Sequence, residues 1–285
     1  MSAIDNPSLG RASAQASLIH WPLHVLRQAL KSERRLALFA LLLWAAMLPT
    51  LLALGLDDRL LRGVSLWAKP LKFMASLGLF AMTTAWFVGL LPAERQRSRV
   101  VGFIAWTILT AASMEIAYIC VQAALGQASH FNFSDKLHQL LYAAMGLGAL
   151  AMTATQPLLA WQIARHGRPE VDAVWRAAAV AGLVMTFVLG AGAGGLLSAM
   201  QPPAGSGMPL FGWHLAGADL RPAHFLGLHA QQLLPLAALG LGGLAPRTRR
   251  LGLLLLCVVY LALWAAALAR GLDGAVLTVA PYAAP

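Results

Sequence analysis

Residues 36–56 read LALFALLLWAAMLPTLLALGL, 21 positions without a charge, between Glu33-Arg34-Arg35 and Asp57-Asp58-Arg59. About 20 apolar residues carry a helix across the hydrocarbon core of a bilayer, and charges flank such a segment where it must reach water. Six further stretches repeat the pattern, at residues 66–91, 100–125, 137–163, 174–200, 220–244 and 251–268. The chain is 59% hydrophobic and 11% charged, well away from the roughly 25% charge of soluble domains. No polar/apolar alternation recurs, which argues against a barrel and for helices as the elements that satisfy the backbone in lipid. The expected fold class is all-α: a polytopic membrane bundle of about seven transmembrane helices, with Pro157 bending the fourth.

The flanking segments divide the chain into three parts. Residues 1–35 form a cytoplasmic N-terminal segment, 36–271 the transmembrane domain and 272–285 a short extracytoplasmic tail. Residues 1–17 lack an apolar core followed by a small-residue cleavage site, which argues against a cleaved signal peptide. Residues 18–31, LIHWPLHVLRQALK, mix apolar with basic side chains and suit an interfacial helix with His20 and His24 on its wet face. The net charge of +10 would suit a nucleic-acid binder, but the basic residues lie between spans. Arg11, Arg27, Lys31, Arg34 and Arg35 precede the first span; three arginines each follow the second (Arg95, Arg97, Arg99), fourth (Arg165, Arg168, Arg176) and sixth (Arg247, Arg249, Arg250). Positive-inside topology then puts the N-terminus in the cytoplasm, the C-terminus outside and the protein in the cell membrane. Cys120 and Cys257 sit inside apolar spans without metal-like spacing.

That orientation gathers polar residues on the outer side. The stretch from Gly212 to Gln232, GWHLAGADLRPAHFLGLHAQQ, holds three histidines, an aspartate, an arginine and two glutamines. Lys69, Lys72, His130, Asn132, Asp135 and His138 join it. At about 1.5 Å per helical residue, Glu115 and His229 share a depth near mid-bilayer, with Lys72, Gln122, His138 and His224 in a shallower layer. Glu115, Tyr118 and Gln122 share one helix face, as do Asp135, His138, Tyr142 and Gly146, and His229 and Gln232. His224 and His229, five apart, point about 140° from each other, so they are not the pair of an HExxH helix.

Each residue also has a plainer role. Asp219 suits an N-cap with Pro222 in the first turn; Arg221 reaches headgroups or holds an anion at the helix N-terminus. Lys69 and Lys72 are snorkelling anchors, or with Arg221 and Lys136 they make a basic mouth for a phosphate, carboxylate or haem propionate. Gly190 and Gly194 have helix-packing spacing and offer a face for an oligomer. Trp67, Trp161 and Trp213 suit an interfacial belt.

An ionisable group carried into a membrane span marks a functional site, and four uses are open. A zinc or similar divalent ion on His138, His224 and His229, with Glu115 as fourth ligand or general base, would activate water to hydrolyse a lipid-like substrate. In span count and His/acid content this resembles the seven-span ceramidase-like membrane hydrolases, although the HxxxH pairs of that group are absent. A b-type haem would take His138 with His224 or His229 as axial ligands, in room left by Gly146. Glu115 and His229 would serve a proton-coupled transporter, though no internal repeat supports one. An assembly subunit would use the histidines to meet a partner. The ligand-contacting set in any of these is Lys69, Lys72, Gln122, Asp219, Arg221 and Gln232. The partners are the bilayer and a lipid or small anionic amphiphile, not nucleic acid. No Walker A loop, GxSxG, Rossmann glycine pattern or CxxCH is present.

Overall fold

Several helices start where a side chain accepts one of the free amides of the first turn. Glu33 accepts from the Arg35 amide, opening α2 (Arg34–Leu56). Ser98 does the same for α5 (Arg99–Ala124), Asp135 for α6 (Lys136–His166) and Asp172 for α7 (Ala173–Met185). The computed structural model describes residues 22–203, 207–208 and 211–275. Before α2 lies α1 (residues 22–32). A two-stranded antiparallel hairpin, β1 (Leu60–Leu61) with β2 (Val64–Ser65), leads into α3 (Ala68–Val88) and the short α4 (Ala93–Gln96). After α7 the chain continues through a π-helical segment (Thr186–Ala191) into α8 (Gly192–Ala199). Then come α9 (Arg221–Leu228), α10 (Ala230–Leu239) and α11 (Pro246–Leu272). The chain is an all-α bundle. Six of its helices are long and apolar enough to cross a membrane: α2, α3, α5, α6, the continuous rod from α7 to α8, and α11.

Polar bonds between loops define the two ends. At one, the Trp86 indole donates to Gln28 of α1 at 3.2 Å, the Arg168 amide to the Leu90 carbonyl at 2.8 Å, and Arg249 to Asp172 at 2.6 Å. At the other, the hairpin end, Arg59 donates to the Ala124 carbonyl, Arg62 to that of Pro202, and the Ala218 amide to Asp273. α1 lies across the first end with Ala29 buried, Leu26 and Leu30 on the core, and His24 exposed. His20 lies outside the described residues. The main core, with Leu36, Phe87, Ile104, Leu159 and Leu183 almost fully buried, joins α2, α3, α5, α6 and α7. α11 is peripheral: only 6% of its apolar window is buried inside the protein. α6 runs through Pro157 without interruption.

The continuous sixth span expected over residues 220–244 is instead broken. α9 stops at Leu228, His229 takes φ −95° and ψ 7°, and α10 starts at Ala230. A broken helix inside a bundle survives only if other groups satisfy its freed amides and carbonyls. Thr186, in the π-helical segment, provides two of these bonds: its hydroxyl accepts from the Gln231 amide at 3.0 Å and donates to the Leu228 carbonyl at 3.4 Å. The Tyr260 hydroxyl of α11 donates to the Leu226 carbonyl. Glycines let these backbones approach. A Cβ on Gly227 would lie 2.4 Å from the Gly190 nitrogen, and one on Gly182 2.8 Å from the Ala230 carbonyl oxygen. The Gly190–Gly194 face therefore packs against α9 of the same chain. Gly227→Ala is expected to destabilise by about 1–3 kcal/mol through overpacking. Gly102→Ala, where a Cβ meets nothing within 4 Å, should be neutral or stabilising by up to about 1 kcal/mol. Thermal unfolding of the detergent-solubilised variants checks the contrast.

Candidate functional site

The loop between α8 and α9 folds over the hairpin end, tied down by charged side chains. Asp219, 2% exposed, accepts from the His214 amide at 2.8 Å and from the Arg221 guanidinium at 2.6 and 2.8 Å. Arg221 also donates to the Gly212 carbonyl at 2.7 Å, and Lys72 to that of Phe211 at 3.0 Å. The N-cap position of α9 is Leu220, and Asp219, one residue earlier, accepts the first-turn Arg221 amide through Oδ1 at 3.0 Å while its second oxygen accepts from the His214 amide. Lys72 and Arg221 are held by backbone carbonyls and, for Arg221, by the Asp219 carboxylate. The Trp213 ring lies 4.8 Å from Phe211 and 5.2 Å from Phe225, and Phe225 lies 4.2 Å from His229. This aromatic series runs from the loop to the helix break.

Beneath the loop, α3 and α5 face each other across a polar gap. The Lys69 ammonium lies 5.7 Å from the Phe73 ring centroid, within cation–π range, and within electrostatic range of Glu115, Lys72 and Arg221. Glu115 is 6% exposed and has Lys69 as its charged neighbour. No ion pair or hydrogen bond joins the two, and neither bonds any other described residue. On the same face of α5, the Tyr118 hydroxyl and Gln122 Oε1 are buried without partners. His130 completes the wall: its ring packs against Phe73 at 5.9 Å and Tyr142 at 5.8 Å. Burial, with Lys69 nearby, pushes His130 well below the usual histidine range, so it is neutral at pH 7.

The other predicted residues are bonded elsewhere, with His224 within electrostatic range of His130. His138 is bound to the carboxylate that caps α6, its Nδ1 2.7 Å from Asp135 Oδ2. His224 contacts the Gly190 carbonyl through Nδ1 at 2.9 Å, its ring against Gly194, where an added Cβ would come within 2.9 Å. His229 sits at the helix break beside Gln232 and His224, and no hydrogen bond or ion pair links it to Glu115. Among the described residues, no three His, Cys, Asp or Glu side chains are placed to hold a metal ion. Gly146 is exposed, its Cβ position facing open space, so it clears no room inside the bundle for a porphyrin. Gln232 donates to Thr83 at 3.1 Å. Thr186 and Tyr260, which hold the break, went unnoticed in the sequence; a hydroxyl in an apolar span is the signal both carry.

No protein-family model, curated protein or solved structure matches the chain. The loop itself has a definite pH behaviour. Burial opposes ionisation of Asp219, but hydrogen bonds from Arg221 and the His214 amide prevail and hold its carboxyl below the usual range. A depressed carboxyl pKa gives stability that is present above the unfolded value, about 3.9, and is lost as pH falls through the folded one. Amide hydrogen exchange at His214, corrected for its intrinsic pH dependence, is therefore expected to stay slow from about pH 8 to 5 and to rise only below about pH 4 in the starting structure. Asp219→Asn should raise it already at pH 7.

Proposed function

We propose that this membrane-embedded protein binds a small amphiphile with an anionic head group, Lys69 contacting the head and Glu115, Tyr118 and Gln122 forming the opposite wall. The observation that carries this reading is the polar gap itself. Buried polar groups in native proteins are paired, and leaving one unpaired costs roughly 1–3 kcal/mol. Here the Tyr118 hydroxyl and Gln122 Oε1 are buried without partners, on the helix face of a carboxylate that makes no hydrogen bond or ion pair and has Lys69 as its charged neighbour, which suits a site completed by a ligand.

Charge favours an anion. Arg221 and Asp219 neutralise each other, and Lys69 offsets Glu115 across the gap; Lys72, held only by a carbonyl, remains as one uncompensated positive charge. In a site walled from water such a charge acts over a longer range than at the surface. The aromatic rings of Phe73, Phe131, Phe133 and Tyr142 supply an apolar flank for a hydrocarbon tail. The basic loops at the α1 end suit the cytoplasmic side, which turns the hairpin end and its pocket outward. Metal or haem chemistry on His138, His224 and His229 draws less support, because the three are bound to separate parts of the fold.

Titration with a fluorescent long-chain fatty acid, against the fatty alcohol of equal length, tests the reading. Lys69→Gln is expected to weaken fatty-acid binding by about tenfold or more, equivalent to ~1.4 kcal/mol. Glu115→Gln should tighten it, by removing a carboxylate that competes for Lys69. Equal binding of acid and alcohol, or an unchanged Lys69→Gln variant, would sink the proposal.

A further inference from the structure

At the α1 end a cleft of about 170 Å³ opens between the start of α7, the end of α10 and the start of α11, lined by Asp172, Trp175, Ala238, Leu239, Gly242 and Arg249. That is far more than the roughly 10–15 Å³ that admits one water. Its wall is mostly apolar, formed by the Trp175 ring and by Ala238 and Leu239. Trp175 is fixed in place against Trp86 at 5.2 Å and Phe87 at 6.0 Å. Leu239 is 51% exposed and Gly242 is exposed, so the cleft is continuous with the outer surface of the bundle. That surface is oily: further along α11, Leu251, Leu254 and Leu255 are each at least 60% exposed.

The rim of the cleft is basic. Its two acids are already spent: Asp172 caps α7 and accepts from Arg249 at 2.6 Å, and Glu170 pairs with Arg168 at 3.6 Å. Arg176, in the first turn of α7, is held by the carbonyls of Gly167 and Arg168, which leave its charge uncancelled. Arg247 and Arg250, in the first turn of α11, are exposed and make no hydrogen bond or ion pair with any described residue. The turn that carries them, residues 240–250, contains no acid. No side chain caps the amides at the start of α11, and these add to the pull on an anion. An oily cleft open to the bilayer beneath uncancelled arginines matches a molecule with a hydrocarbon part and a negative head. We propose that the cleft binds an anionic glycerophospholipid of the surrounding membrane, its phosphate on Arg247 and Arg250 and its chain against Trp175 and Leu239. A soluble acidic partner would satisfy the arginines and leave the apolar cleft unfilled. The bound lipid joins α11, the peripheral helix, to α7 beside the Arg249–Asp172 bond. The site is separate from the Lys69 pocket, which lies at the hairpin end.

Native mass spectrometry of the full-length protein in detergent, titrated with phosphatidylglycerol or phosphatidylcholine of identical chains, tests the proposal. Phosphatidylglycerol is expected to bind more tightly by roughly tenfold or more. Arg247→Gln combined with Arg250→Gln should remove most of that preference, and both positions are exposed, so the fold is not at risk. Leu239→Trp, at a half-exposed wall position, fills the cleft and should weaken both lipids. Arg95→Gln with Arg97→Gln, exposed at the same end, should leave the preference intact, which separates this cleft from general surface charge. Lys69→Gln should leave it intact as well; a preference lost there would move the binding to the hairpin-end pocket and overturn the proposal. Equal affinity for the two lipids would overturn it too, as would a preference that survives the α11 double variant. Displacement of the lipid by inorganic phosphate, or binding of poly-glutamate without any lipid preference, would assign the arginines to a free anion or an acidic partner instead.

Discussion

A backbone amide or carbonyl within lipid must find a partner inside the protein, and that requirement governs the least regular part of this bundle. Six long helices meet it internally. The pair α9 and α10 does not, because the chain turns at His229. The compensating groups come from elsewhere in the sequence: Thr186 on the π-helical segment, Tyr260 on α11, and the glycines that admit them. The irregularity at residues 186–191 and the one at 229 are therefore parts of a single arrangement. A π-helical turn shifts the register of the rod so that Thr186 and Gly190 meet α9, and the break in α9–α10 supplies the groups they satisfy.

That arrangement also sets polar side chains inside an otherwise oily protein. A straight sixth helix would carry His229 and Gln232 past their neighbours in a regular stripe. With the break, His229 stands at a joint between α9 and a cavity bounded by α3 and α6, while Gln232 reaches Thr83 across the bundle. The outer gap between Lys69 and Glu115 arises differently, from α3 and α5 meeting beneath a loop whose charges are spent on its own backbone. Asp219 and Arg221 look like binding residues by type, and their work is holding the cover in place. The Lys69–Glu115 gap and the helix break are joined through His224, which lies within electrostatic range of both His130 and His229.

Much of this was legible in the residues alone. Hydrophobic runs bounded by charges determine the all-α membrane bundle, because length and apolarity are local properties and the bilayer rewards only helices. The exposed face of α1 at His24 and the clustering of polar side chains toward one end follow from the same local chemistry. Spacing also identified Glu115, Tyr118 and Gln122 as one face, and the structure leaves all three side chains without hydrogen bonds on it.

Partnership required the tertiary structure. Depth along two helices paired Glu115 with His229, yet depth carries no information about azimuth or neighbours, and it is Lys69 that faces Glu115. His138, a metal or haem ligand by residue type, is bound to the Asp135 carboxylate that caps its own helix. The break at His229 has no proline or glycine at the joint itself to announce it. It exists because glycines and a threonine from a distant segment accept it, and such compensation between remote residues is invisible to any local pattern. The sequence by itself therefore determined the solvent, the secondary structure and the chemical inventory. The tertiary structure decided which of those groups are spent on one another and which are left unpaired.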